Sequence, residues 1–179
     1  DAIENVGDGL IVYNAAGRVV LFNRRFLELF DVYRGLPTLI GKSAEELIGL
    51  GYDAGDYQES SAKSDREAWI KLRLEQFWNP PPTPVARMLP GGRTILRHER
   101  KLADGKVVGV YTDITALKRA EARLKDAVEN LGDGFILFDA DDRVVLHNRQ
   151  HLELYPRLKS YPSLIGLSRR DILVDGHRA

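Results

Sequence analysis

The sequence predicts an α+β fold: a five-stranded antiparallel sheet flanked by helices, then a linker helix, then the N-terminal part of a second copy of the same domain. Three observations carry that prediction. The stretch DGLIVYNAAGRVVLFNRRFLELF from Asp8 returns as DGFILFDADDRVVLHNRQHLELY from Asp133; strand and helix signals run β-β, short helices, β-β-β; and a heptad-spaced charged segment separates the copies. Aligning Ala2–Phe30 with Ala127–Tyr155 gives 17 identical positions of 29, and Pro37, Leu39, Ile40, Gly41 and Ser43 recur as Pro162, Leu164, Ile165, Gly166 and Ser168. The period is too long for a solenoid, whose units run about 20–50 residues, and suits a small domain plus a linker. The expected organisation is the end of an entering helix (1–6), a complete domain (7–115), a linker helix (116–131) and the first part of a second domain (132–179).

Each element has its own signal. Gly9–Tyr13 and Arg18–Phe22 are β-rich runs around the turn Asn14–Gly17, which reads as a hairpin. After Asn23 the apolar spacing of Phe26, Leu27, Leu29 and Phe30 becomes helical. Ser43 with Glu46 forms a capping box that opens a short helix, and Gly49–Ser61 reads as a loop. Ser64 with Glu67 reads as a second capping box, ahead of an apolar stripe of Ile70, Leu74, Phe77 and Trp78. Asn79 and the prolines after it end that helix, because proline lacks the amide donor and its ring clashes with the preceding turn. Three strand-like runs follow, Val85–Leu89, Arg93–Leu102 and Lys106–Thr112, separated by Gly91-Gly92 and Asp104-Gly105.

Beyond Asp113-Ile114-Thr115, the residues Leu117, Ala120, Leu124, Ala127 and Leu131 step by alternating threes and fours. That is an a/d seam, with Thr115 placed as an N-cap. The seam covers about two heptads and includes two alanines, so the isolated helix is marginal. Two readings stay open: a helix lying on its own sheet, or a parallel two-stranded connector in a dimer. The match of Asp1–Asn5 to Asp126–Asn130 favours the second, since it places a similar helix ahead of the first domain.

Bulk composition excludes several classes. Lys+Arg and Asp+Glu are both 26, so no basic stripe favours nucleic acid. Cysteine is absent, which removes disulfides and thiolate chemistry. No apolar run nears the roughly 20 residues that span a bilayer, so no direct membrane insertion is expected. The expected location is cytoplasmic, with an anchor elsewhere left open, and a first residue Asp1 in place of Met leads us to expect a piece of a longer chain.

The ordered set of Asp8-Gly9, hairpin, Asn23 at a helix start, Gly41 before a short helix, a three-stranded closing block and the Asp113-Ile114-Thr115 exit resembles the PAS domain family. The resemblance is to tandem domains of bacterial sensor histidine kinases and cyclic-dinucleotide signalling proteins. It implies a dimeric sensing or coupling module upstream of a kinase or cyclase domain in the same chain, here with a histidine kinase as the first expectation. It also implies that Asp113 and Thr115 join the last strand to the signalling helix, and that Asn23 and Asn148 hold structural turns. In this family the first strand pairs with the last. Residues 132–179 are therefore expected to present an open sheet edge, completed by strands of another chain or by a continuation of this one.

Site chemistry is sparse. Flavin photochemistry needs a cysteine, and the absence of His between Gly41 and Pro90 argues against haem. No cofactor is expected. A small apolar ligand remains open, with Leu10, Val12, Phe26 and Leu47 as the pocket lining. His147 and His151, four apart, are weak metal candidates, because Phe22 and Phe26 hold their places in the first copy. His98-Glu99 lies in a strand run, which excludes a phosphoacceptor role. No catalytic residue is expected in this fragment. Alternatives are a ligand-free spacer or dimerisation module of a diguanylate cyclase or phosphodiesterase, and a small-molecule enzyme on a curved sheet.

Overall fold

The computed structural model describes residues 3–57 and 65–174. They form two compact units, dividing after Lys118. In the first, β1 (Gly9–Tyr13), β2 (Val19–Phe22), β3 (Val85–Met88), β4 (Thr94–Lys101) and β5 (Val107–Asp113) make one antiparallel sheet in the order β2-β1-β5-β4-β3. The opening hairpin and the closing three strands thus meet at β1 and β5, in register from Gly9 opposite Tyr111 to Tyr13 opposite Val107. Local turn chemistry fixes the hairpins. Asn14 Oδ1 accepts from the amides of Ala16 and Arg18 at 3.0 and 2.9 Å, and Asp104 Oδ1 accepts from the Lys106 amide at 3.2 Å.

The helices pack on one face of this sheet. Helix α1 (Arg24–Leu29) is capped by Asn23, and α2 (Ala44–Asp53) by the Ser43–Glu46 capping box, with both reciprocal bonds present. Helix α2 runs through Gly49 and Gly51, where the sequence reads as a loop. The reason is tertiary: a Cβ on Gly51 would stand 3.2 Å from the Tyr57 ring and 3.3 Å from the Tyr33 hydroxyl. Close packing there offsets glycine's helix penalty of about 1 kcal/mol. Helix α3 (Arg66–Trp78) is capped by Asp65, whose side chain accepts from the Glu67 and Ala68 amides. The expected cap Ser64 lies outside the described residues. The buried stripe of α3 is Trp69, Ile70, Arg73 and Phe77, so it includes a charged residue that apolar spacing passes over.

Strand alternation sorts the sheet's two faces. Ile11, Tyr13, Ile95, Val107 and Tyr111 join Phe26, Leu29, Leu47, Ile48 and Phe77 in the core. Leu10, Val12, Leu96, Val108 and Val110 occupy the alternate positions and are half-buried.

Helix α4 (Thr115–Glu129) follows β5 directly. The second unit contains β6 (Ile136–Phe138) and β7 (Val144–His147), paired only with each other, then α5 (Arg149–Leu154) and α6 (Arg169–Val174). Its buried apolar residues packed together are Val144, Leu158 and Leu164. Among the described residues the outer edge of β6 has no partner strand, which agrees with the expected open edge. Of the entering segment 1–6, Ile3–Asn5 form a turn.

Candidate functional site

Two sets of polar side chains stand out in the first unit. One lies where β5 gives way to α4. Thr115 is the first residue of α4 rather than its cap, and its hydroxyl reaches across to β4. It accepts from the Thr94 amide at 2.9 Å and donates to Asp113 Oδ1 at 2.5 Å. The same carboxylate oxygen accepts from the Thr115 amide at 3.0 Å, and the Ile114 amide bonds Thr94 O at 2.9 Å. Asp113 Oδ2 lies 3.9 Å from both Arg93 Nε and Arg25 Nη2. Partial burial raises the Asp113 pKa, but the Thr115 hydrogen bonds and the two arginines outweigh it and hold the carboxyl below the usual range. Arg93 Nη1 also donates to Glu28 O and Leu29 O, at 2.8 and 2.9 Å. Asp113 and Arg93 thereby tie the root of α4 to the end of α1.

The other set is inside the domain. Arg73 of α3, Arg87 of β3, and Arg97 and Glu99 of β4 are all buried. Glu99 Oε1 accepts a short hydrogen bond from Arg73 Nη2 and one of 3.0 Å from the Tyr111 hydroxyl. Arg97 Nε stands 3.7 Å from Glu99 Oε2. The Arg87 guanidinium lies over the rings of Tyr57 and Phe30, 4.3 and 5.6 Å from their centroids. Burial pushes the phenols of Tyr111, Tyr13 and Tyr33 well above their ordinary range. Burial and the neighbouring Arg73 charge lower the Arg97 pKa. These residues surround a cavity of about 20 Å³ between sheet and helices.

Comparison with known proteins decides the family. The family model described as "PAS fold" matches residues 3–122, and one described as "PAS domain" matches residues 122–173. The chain belongs to the PAS family. Its first PAS domain is complete in strand number, and the second is the opening part of another. No curated protein matches.

Solved structures similar to the chain include a domain of a sensory box sensor histidine kinase/response regulator from Geobacter sulfurreducens. It has 19% identity and a TM-score of 0.39, covering 63% of this chain and 88% of that one. The PAS domain of the Cronobacter turicensis RpfR quorum-sensing receptor, in complex with C12:0, has 19% identity and a TM-score of 0.39, covering 63% and 98%. The PAS domain of Bordetella pertussis BvgS has 15% identity and a TM-score of 0.38, covering 70% and 93%.

Within the PAS fold, the residues singled out from sequence fall in different places. Phe26 and Leu47 line the interior cavity; Leu10 and Val12 do not, because β1 presents Ile11 and Tyr13 to the helices instead. Asn23 is fully buried. Its Oδ1 accepts from Leu10 N (2.8 Å) and Phe26 N (3.0 Å), and its Nδ2 donates to Ile3 O (3.1 Å) and Asp8 O (2.9 Å). Asn148 repeats this pattern with Phe135, His151, Val128 and Asp133. Both asparagines therefore satisfy all four side-chain hydrogen-bonding positions used in such a turn. Glu4 and Glu129 each accept from the amide one residue after the asparagine, at Arg24 and Arg149.

His151 borders an apolar hollow of about 500 Å³ in the second unit, and desolvation and His147 lower its pKa. Among the described residues no group of three or more His, Cys, Asp or Glu gathers where a metal ion could bind. No described helix is long and apolar enough to cross a membrane. Along α4, Leu117 and Leu124 are 57% and 60% exposed and Ala120 and Ala127 are also exposed; Leu131, expected on the seam, lies beyond the end of the helix at Glu129 and is 46% exposed.

Sequence reading missed the buried cluster of Arg73, Arg87, Arg97 and Glu99. A signal was present: Arg97 and Glu99 alternate in phase with Ile95, and Arg73 lies between Ile70 and Phe77 on the stripe of α3.

Proposed function

We propose that this PAS pair is a regulatory signalling module with no catalytic activity of its own. Its first domain couples a change in its interior to α4, which relays it in a cytoplasmic homodimer to an output domain further along the same chain. A histidine kinase is the first expectation for that output. The observation that carries the reading is the continuity of β5. Tyr111, bonded to the buried Glu99, and Asp113, bonded to Thr115, stand two residues apart on one face of the strand. A shift of the Tyr111 ring is therefore felt at the root of α4 through a stiff element.

Dimer pairing along α4 would cover the seam Leu117, Ala120, Leu124 and Ala127, whose leucines lie exposed in the single chain, with Leu131 just past the helix end. Light scattering of this chain at high micromolar concentration is expected to give a dimer mass, and Leu124→Asp a monomer. A wild-type chain that stays strictly monomeric at that concentration sinks the dimer relay. The spacer role in a cyclase or phosphodiesterase remains the second reading, favoured by how small the interior cavity is.

A further inference from the structure

The segment that enters the first PAS domain and the junction that leaves it meet at the start of α1. Consecutive residues make the connection. Asn23 Nδ2 donates to Ile3 O at 3.1 Å, and the Arg24 amide donates to Glu4 Oε2 at 2.9 Å. Arg25 then reaches both ways. Its Nε donates to Gly7 O at 3.2 Å, and its Nη2 stands 3.9 Å from Asp113 Oδ2. Its Nη1 pairs with Glu28 Oε2 at 3.2 Å, within α1 itself. All of these residues belong to one compact unit.

A guanidinium is one flat, delocalised group, so its nitrogens move together. A displacement of Gly7 that carries Nε also turns Nη2 against Asp113. The carboxylate is poised to respond. Its Oδ2 lies at the same 3.9 Å from Arg93 Nε as from Arg25 Nη2. Its Oδ1 accepts from both the hydroxyl and the amide of Thr115. Withdrawal of Arg25 leaves Arg93 as the stronger pull, and a carboxylate that turns toward Arg93 moves Oδ1 against Thr115.

The second copy is an internal control. Asn148 Nδ2 donates to Val128 O and the Arg149 amide to Glu129 Oε2, both at 3.1 Å, so the entry contacts recur. In place of Arg25 stands Gln150, and α5 still forms behind its asparagine cap. The turn and the helix therefore do not need the arginine. What Arg25 adds is the reach to the exit strand.

We propose that Arg25 is a positioning residue that couples the entering segment Ile3–Gly7 directly to the root of α4. The first domain then passes on a movement of that segment without any change in its interior. This input is separate from the path through Tyr111. Its effect on an output domain rests on the relay reading; the coupling within one chain does not.

The test is a double-mutant cycle on the intact chain, read by amide exchange and NMR signals. Glu4→Ala removes the acceptor of the Arg24 amide and is expected to speed its exchange about fivefold, the loss of one hydrogen bond. The same substitution is expected to shift the Ile114 and Thr115 amide signals. Glu4→Gln keeps an acceptor oxygen and should leave all three amides near wild type. In Arg25→Gln, which keeps the circular dichroism spectrum, Glu4→Ala should still free the Arg24 amide and no longer move Thr115. If Arg25→Gln does not fold, Asp113→Asn gives the same reading, since it keeps an oxygen for the Thr115 amide and removes the charge facing Arg25. A Thr115 signal that ignores Glu4→Ala in the wild-type chain overturns the coupling. A response of full size in Arg25→Gln, or in Asp113→Asn, overturns its assignment to Arg25. Light scattering on the same samples separates the two ideas: coupling in a strict monomer keeps the link and removes the dimer relay, and a dimer without coupling does the reverse.

Discussion

Gly109 is where the buried polar cluster meets the backbone. It sits on β5 between Val108 and Val110, on the same face as Tyr111. A Cβ there would stand 2.9 Å from the Tyr111 ring and 3.2 Å from Ile11 Cγ2, closer than packed side chains tolerate. The missing side chain lets the Tyr111 ring fold back over the strand to reach Glu99. Gly109→Ala is expected to displace that ring and to cost about 1–3 kcal/mol, the usual price of overpacking. Urea denaturation reads this as a lower midpoint, and an unchanged midpoint would mean that the ring has room to spare. Asn23 was legible from sequence because its work is local: a turn and a cap that its own chemistry announces. Glu99 was not, because a charged residue in a strand reads as solvated until the partner from α3 is known. Phase alone, Ile95-Arg97-Glu99, marked the position without naming the partner.

At the scale of elements, the junction of β5 and α4 depends on one hydroxyl. Thr115→Val keeps the shape of the side chain and removes both the acceptor for the Thr94 amide and the donor to Asp113. The expected loss is about 1–3 kcal/mol, since the Thr94 amide is left without its partner. Hydrogen exchange should quicken at Thr94 and in the first turn of α4 while Tyr111 stays protected. Equal protection in variant and wild type would show that the junction holds without the hydroxyl.

The strands and their hairpins were readable because Asn14, Gly91-Gly92 and Asp104-Gly105 each fix a turn with its own residues. The extent of α2 was not readable: two glycines and an aspartate spell a loop in isolation, and only the closeness of Tyr33 and Tyr57 explains why the helix continues. The start of α3 was off by one residue for a related reason, because Ser64 and Asp65 are both competent caps.

For the whole molecule, the two units differ sharply in how much they bury. The first has a continuous core drawn from four of its five strands and three helices. The second gathers Val144, Leu158 and Leu164 beneath a single hairpin, and an isolated hairpin has little stability of its own. Native-state hydrogen exchange should therefore find the β6–β7 amides opening at much lower free energy than those of the β4–β5 ladder. Matched protection in both units would show that something else supports the second.

This asymmetry was visible in the sequence as a repeat that stops after its first hairpin and helices. Which residues would be left exposed was not, since burial is a property of the completed sheet.

The attachment of α4 to β5 has one more consequence, and it is mechanical. β5 is the central strand, held by β1 on one side and β4 on the other. A helix of 15 residues begins one residue after that strand ends. At 1.5 Å per residue the helix is about 22 Å long, so a tilt of about 5° at its root carries its tip about 2 Å. In the proposed relay, leverage of this kind would turn a ring movement of an ångström inside the domain into a displacement as large as a change of packing at the far end of α4.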